Sequence, residues 1–173
     1  FHFYPALSLG WVMSNENFLK ESKAINFLKL RASAGLSGLE PNQWHLHLAK
    51  YGNGTNYWYQ DNNQSTGGLK EDRRANPEIK PEKSLMANVG VDAVLFKGLS
   101  LNVDAFYEKR SNILVSEWNS VSRVIGVAAT SVAEGIVENK GVEVGALWSK
   151  RTGDFNYAIG AQYSFANTTI VEQ

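Results

Sequence analysis

The sequence contains no cysteine. That absence excludes a disulfide framework, thiolate metal sites and a cysteine nucleophile, and it fits any redox compartment. There is no surplus of charge either, because 17 Lys and Arg balance 17 Asp and Glu. A nucleic-acid surface usually shows a basic excess or stripe, so nucleic acid is not an expected partner. Long apolar runs are also missing. The most apolar stretch, Val124 to Val137, contains Glu134 and is shorter than the roughly 20 apolar residues of a spanning helix. A membrane is not excluded by this, because a barrel strand needs only about 9–11 residues and alternates in polarity. The chain opens on Phe1 with no basic segment leading into an apolar one, so no export signal is visible. It reads as a stretch of something longer, with its targeting information upstream.

What is present is alternation with the two-residue period of a β-strand. Phe155, Tyr157, Ile159, Ala161, Tyr163 and Phe165 interleave with Asn156, Ala158, Gly160, Gln162 and Ser164. Leu99, Leu101, Val103, Ala105 and Tyr107 alternate with Ser100, Asn102, Asp104 and, less neatly, Phe106. Leu28, Leu30, Ala32, Ala34 and Leu36 do so against Lys29, Arg31, Ser33, Gly35 and Ser37. Leu85 to Ala93 alternates with Ser84 to Val94, and Val142 to Trp148 with Glu143 to Ser149. Phe3 to Val12 is a rougher match, with Pro5 marking a frayed start. Strands are therefore expected at 3–13, 27–37, 83–95, 99–110, 140–150 and 155–166. Most are longer than the globular average of about 5–6 residues and close to a tilted bilayer crossing.

The connections alternate in length. Phe96-Lys97-Gly98 and Arg151-Thr152-Gly153-Asp154 read as tight hairpins, each with Gly where positive φ is expected. The link 14–26 is somewhat longer and polar, with one helical turn expected around Asn17 to Lys23. Links 38–82 and 111–139 are long. In an up-and-down sheet the short turns then share one end and the long loops the other, as in outer-membrane barrels. Trp11, Tyr107, Trp148, Phe155 and Phe165 fall near strand ends, where interfacial aromatic girdles sit. The competing reading is that aromatics cap any half-buried sheet. No repeat or low-complexity linker divides the chain, so one continuous sheet segment is expected.

Five segments, in order, resemble SusC/RagA-type TonB-dependent transporters. Phe3-Tyr4-Pro5-Ala6-Leu7-Ser8-Leu9-Gly10-Trp11 resembles that family's FFPSVSLGW stretch. Leu28 to Gly38 is similar to its LKLRASYGxTG strand, and Asn76 to Lys80 with Glu82-Lys83-Ser84, Asn88, Gly90 and Asp92 to its NPxLKxEKS…NxGxD segment. Asp104 to Arg110 with Ile113-Leu114 resembles a strand end, and Glu138-Asn139-Lys140-Gly141-Val142-Glu143 the ENKGVE motif. Ala34, Pro81 and Ala133 depart from the common residues, which bears on subfamily and cargo rather than fold.

The resemblance implies an all-β fold: an antiparallel up-and-down transmembrane β-barrel segment, about six strands of a larger barrel of about 22. Residues 1–173 would be part of the barrel domain, without the plug domain or the barrel C-terminus. The implied function is nutrient import of oligosaccharides or oligopeptides across the outer membrane of a Gram-negative bacterium, with no catalysis. Implied partners are a SusD-like surface lipoprotein, the TonB complex acting through the plug region, the cargo, the lipid bilayer and the remaining strands of the same barrel.

Candidate sites follow from residue chemistry. Loop 38–82 mixes Trp44, Tyr51, Tyr57, Trp58 and Tyr59 with Asn53, Asn56, Gln60, Asn62, Asn63 and Gln64. Aromatic faces beside amides suit sugars or peptides at a wet interface. Trp44, Tyr57, Trp58 and Tyr59, with Trp118 of the second long loop, are the candidate cargo-binding residues. The bland alternative is an outer loop whose aromatics bury one another. Lys29, Arg31, Asn88, Asp92, Asn102, Asp104, Glu143 and Gln162 are expected on a lumen face, where mutual satisfaction is the favoured role. His45 and His47 form an HxH pair without a convincing third ligand, so a solvated loop is favoured over a metal site; His2 is isolated. Glu71 and Asp72 beside Arg73 and Arg74 suggest a solvated cluster rather than acid/base work. Gly52-x-Gly54 and Gly67-Gly68 do not open a helix and make no phosphate cradle. The sequons at Asn53, Asn63 and Asn167 carry no weight in a bacterial outer membrane. No cofactor is expected.

The rival reading is a soluble β-sandwich carbohydrate-binding module, which would bury the apolar face against a second sheet. A third, a porin without TonB coupling, would lack any plug sequence upstream.

Overall fold

The computed structural model describes residues 2–40, 45–59, 64–116, 124, 126 and 131–172, with only the backbone at 57–59, 64–66 and 116. Among the described residues ten strands follow in chain order: β1 (Ala6–Val12), β2 (Ile25–Leu39), β3 (Lys50–Asn53), β4 (Tyr57–Tyr59), β5 (Gln64–Thr66), β6 (Leu69–Arg73), β7 (Glu82–Leu95), β8 (Leu99–Ser116), β9 (Ser131–Thr152) and β10 (Phe155–Glu172). One six-stranded sheet has the order β1-β2-β7-β8-β9-β10, the order in which those strands occur along the chain. All six expected strands are present. The last three run past their expected ends, because Ser111 to Ser116, Ser131 to Asn139 and Asn167 to Glu172 also pair. The chain divides into two compact units, each described by itself.

The first unit comprises Phe1–Gly38, Lys83–Arg110 and Val137–Val171. β1 and β2 are antiparallel, with Leu7 opposite Ala34, Leu9 opposite Ala32 and Trp11 opposite Leu30. Ser8 faces Ser33, and Gly10 faces Arg31. Because facing residues in a ladder share a side of the sheet, this register places Leu7, Leu9 and Trp11 of β1 with Leu30, Ala32 and Ala34 of β2 on one face. Contacts extend the rule to the other strands. Arg31 bonds to Asp92 and Asp104, a Cβ at Gly145 would meet Asn102, and one at Gly160 would meet Leu147. The polar face therefore carries the odd positions of β2 and β9 and the even positions of β7, β8 and β10. The apolar face carries the complementary set.

No core covers that apolar face. Among the described residues only Leu46 and Ala93 are buried hydrophobics. Along β10, Phe155 is 69% exposed, Ile159 72% and Tyr163 64%. The sandwich alternative required this row to be packed inside, and it is not.

The turns hold one surprise. Gly153 has φ +61°, as the tight turn after β9 requires. In the turn after β7 the left-handed residues are instead Phe96 (φ 51°) and Lys97 (φ 57°). Gly98 serves close approach: its carbonyl accepts from Ser149 N at 2.8 Å, and a Cβ there would lie 2.7 Å from the Ser149 carbonyl oxygen. Between β1 and β2 a 3-10 turn at Met13–Asn15 precedes a hydrogen-bonded turn at residues 17–21, where the helical turn is expected. An i→i+4 bond from Lys20 N to Glu16 O follows it. Pro5 lies just before β1, and its carbonyl accepts from Leu36 N at 2.9 Å, consistent with a strand frayed at its start.

The second unit comprises Leu39–Glu82, Ser111–Ile136 and Glu172–Gln173. What reads as a loop after β2 is folded as a ribbon. β3 pairs antiparallel with β6, and between them β4 pairs antiparallel with β5. The segment after the ribbon is tied down by two asparagines. Asn76 Nδ2 donates to Ser131 O at 2.9 Å, and Asn112 Nδ2 donates to Pro81 O at 3.2 Å.

Candidate cargo-facing surfaces

Two surfaces bear on function, one in each unit. In the first, the polar face is organised around Arg31. Its Nη2 donates to Asp104 Oδ2 at 2.9 Å and to Asp92 Oδ1 at 3.2 Å. Its Nε lies 2.8 Å from Asp92 Oδ2 as an ion-pair contact, but it is not aligned for a hydrogen bond. Gly90 makes the convergence possible, because a Cβ there would collide with Asp104 and the Arg31 guanidinium. One guanidinium thus serves two carboxylates, and Asp104 Oδ1 is buried with no hydrogen-bond donor among the described residues. The expected lumen set is all on this one face. Arg31, Asp92 and Asp104 form the cluster, Lys29 leans over Gly10, and Asn88, Asn102 and Gln162 line shallow hollows. Glu143 falls between Gly141 and Gly145, whose Cβ positions would meet Phe106 and Asn102.

A second polar group on this face was not singled out by sequence. Glu108 Oε1 accepts from Ser84 Oγ and from Arg110 Nε, both at 2.7 Å. Ser84 is the buried polar residue among those described. The alternation put both residues on this face, but nothing local marks them as partners. Beside Glu108 lies a hollow of about 420 Å³ lined by Ala6, Ser8, Ser33, Gly35, Met86, Asn88 and Phe106, among others. Its space comes from the small residues of β1 and β2. Phe106 also reaches over Gly141, where a Cβ would strike its ring. Gly141→Val should therefore crowd the Phe165 carbonyl oxygen, displace Phe106 and cost about 1–3 kcal/mol by overpacking. Chemical denaturation of the refolded parent protein would check this, and an unchanged midpoint would contradict it.

In the second unit the candidate aromatics sit on the ribbon. Tyr57 pairs with Thr66, Trp58 with Ser65 and Tyr59 with Gln64. Trp44 and Trp118 lie outside the described residues. Tyr51, opposite Glu71, is well exposed. In the charged cluster Glu71, Asp72 and Arg73 are half-buried and Arg74 is exposed, and the Lys70–Asp72 pair at 3.4 Å, 60% and 33% exposed, is worth little to stability. The HxH pair lies in a turn rather than a strand. The rings of His45 and His47 are 6.1 Å apart, and Arg73 Nη2 donates to the His45 carbonyl at 2.8 Å. No group of three His, Cys, Asp or Glu among the described residues could hold a metal ion.

On the apolar face, aromatics fall in two rows. Trp11, Trp148 and Phe155 lie toward the short turns, and Tyr107 and Phe165 lie beyond the mid-strand aliphatics. From Phe155 to Phe165 a strand rises about 33 Å, or about 25 Å when tilted by about 40°, which matches the apolar band of an outer-membrane barrel. Charged residues bound this band. On β9, Lys140 and Lys150 flank the stretch Val142 to Trp148, and past Tyr107 the Lys109 ammonium pairs with Glu138 at 3.3 Å.

Comparison with known proteins agrees. The family model "TonB dependent receptor-like, beta-barrel" matches residues 1–172. TonB-dependent receptor P39 of Formosa agariphila is 30% identical over 171 residues, covering 98% of this chain and 16% of that protein. TonB-dependent receptor SusC of Bacteroides thetaiotaomicron is 30% identical over 148 residues, covering 81% of this chain and 14% of that one. Among solved structures, a chain of the RagAB peptide importer in its open-open state superposes with a TM-score of 0.79 at 21% identity, covering 98% of this chain and 18% of that chain. This chain thus spans about a sixth of the length of the relatives it matches. With its sheet order, its two-faced strands and a match from residue 1 to 172, the chain belongs to the TonB-dependent receptor-like β-barrel family.

Proposed function

We propose that this chain forms part of the barrel wall of an outer-membrane importer of oligosaccharides or oligopeptides in a Gram-negative bacterium. The observation that carries this reading is the exposed apolar face, framed by two aromatic rows about one bilayer apart. A face of that kind suits hydrocarbon, and the opposite face, with Arg31, Asp92, Asp104 and Glu108, suits a hydrated lumen. The edge strands β1 and β10 then pair with further strands of the same barrel, because open edges are not tolerated in lipid.

In this reading the wall does no bond chemistry. Cargo is captured under a SusD-like surface lipoprotein, and a plug region coupled to TonB supplies the energy for passage. The similarity to SusC and to the RagAB peptide importer supports an oligomeric nutrient as the cargo. Tyr57, Trp58 and Tyr59 on the ribbon, with Trp44 and Trp118, would line the outer vestibule.

The parent protein should fractionate with outer membranes, need detergent for extraction and show heat-modifiable mobility. A parent that stays soluble without detergent refutes the assignment. Replacing Trp58 and Tyr59 together with alanine should cost about 2 kcal/mol or more of cargo binding, roughly 30-fold in Kd, if they are anchors. Titration of the folded double variant against the nutrient on which growth depends checks this. Unchanged affinity removes the ribbon from the site.

A further inference from the structure

The apolar face of the first unit carries few charges, and they are unevenly spread. Lys150 stands at its short-turn end, whereas Lys83, Lys109, Glu138 and Lys140 stand at the other. Those four lie on β7, β8 and β9, which are neighbours in the sheet. At the same end and on the same face, β1, β2 and β10 offer only uncharged residues, among them Leu7, Leu36 and Asn167. The lysines therefore form a patch and not a ring around the wall.

Positive charge is in excess there, because three ammonium groups share one carboxylate. Glu138 is already engaged twice, by the Lys109 ammonium at 3.3 Å and by the Tyr107 hydroxyl, which donates to it. Lys140 is exposed and makes no ion pair among the described residues. Lys83 is exposed as well, and the Lys109 side chain stays 41% exposed beside Glu138. Depth gives the second observation. Lys109 lies two residues past Tyr107, about 7 Å along the strand and about 5 Å of depth at a tilt of about 40°. An ammonium just beyond the aromatic row reaches the headgroup layer, where it can donate charge-assisted hydrogen bonds to phosphate. Toward mid-membrane the same face shows exposed Leu85, Val89 and Val142, a surface for acyl chains. We propose that Lys83, Lys109 and Lys140 bind the phosphate of an anionic lipid in the outer leaflet, with its chains along that aliphatic strip. This inference rests on the barrel-wall reading, because only then does this face meet lipid.

The test uses the full-length parent, purified in a neutral detergent and freed of bound lipid. Monophosphoryl lipid A, or the same lipid stripped of its phosphate, is mixed into the micelles. Native mass spectrometry then reads the fraction of protein carrying a lipid. The phosphorylated form should bind roughly tenfold tighter, and exchanging all three lysines for glutamine should remove the difference. Lys140→Gln alone, a mild change at an exposed position, should weaken lipid A roughly threefold. Lys150→Gln, on the same face at the short-turn end, should leave binding unchanged. Heat-modifiable mobility shows which variants are folded. The proposal is overturned if the two lipids bind alike, if Lys140→Gln changes nothing, or if Lys150→Gln costs as much as the triple exchange. Full displacement by inorganic phosphate would make this a free-anion site and overturn the lipid. A parent oligomer that dissociates in the triple variant while lipid uptake is unchanged would assign the patch to a protein contact instead. A folded outer-membrane barrel that takes up no lipid A refutes the site and leaves the barrel-wall reading standing. A parent absent from the outer membrane refutes both.

Discussion

Replacing Ile159 with arginine is expected to destabilise the barrel in a bilayer by about 2–4 kcal/mol, the cost of a cation at mid-membrane on a lipid-facing strand. Ile159 is 72% exposed, so in water alone the same change would be nearly neutral or helpful. The sign of the effect therefore distinguishes a lipid-facing row from a merely solvent-facing one. Gln162→Arg, on the opposite face of the same strand, should change stability by less than about 1 kcal/mol, because that face is hydrated. Urea titration of the parent refolded into phospholipid vesicles gives both values. Equal effects at the two positions would mean that β10 does not separate lipid from water.

The second large effect concerns Arg31. Substituting methionine keeps the length of the side chain and removes the only charge that the described structure places against Asp92 and Asp104. Two carboxylates are then left side by side, one with an oxygen already buried and without a donor. A loss of about 1–3 kcal/mol is expected, the range for stranding a charged hydrogen-bonding group that is partly buried. The partial exposure of the cluster, 38% for Arg31 and 15% for Asp104, keeps the figure below that of a fully buried pair. Adding Asp92→Asn and Asp104→Asn to the methionine variant should recover much of the loss. If the triple variant is no more stable than the single one, charge compensation is not what Arg31 contributes.

Much of this architecture was legible in the sequence, for a physical reason. A strand between two different media must alternate, and the alternation in β2, β7, β8, β9 and β10 is regular enough over the expected stretches to show which parity faces which side. The polar cluster was legible to the same degree. Lys29, Arg31, Asp92 and Asp104 were placed together by parity, but their convergence on one guanidinium depends on register between strands distant in sequence. Strand ends were less legible. β8 continues past Arg110 and β9 begins well before Lys140, outside the stretches whose alternation marks them. The ribbon after β2 was missed because β3 to β6 are only three to five residues each, too short for a two-residue period to stand out. At Phe96 and Lys97 the rule that positive φ calls for glycine failed, because Gly98 was required one residue later for contact with Ser149.

The most direct test is a single-cysteine scan from residue 156 to 164, in the parent protein held in native outer membranes and free of other reactive thiols. This stretch has no cysteine of its own. Positions 157, 159, 161 and 163 should resist a membrane-impermeant maleimide and react with a lipid-soluble one, whereas 156, 158, 160, 162 and 164 should show the reverse. A pattern without alternation, or one in which the odd positions label freely from water, would contradict the assignment of this sheet to a barrel wall.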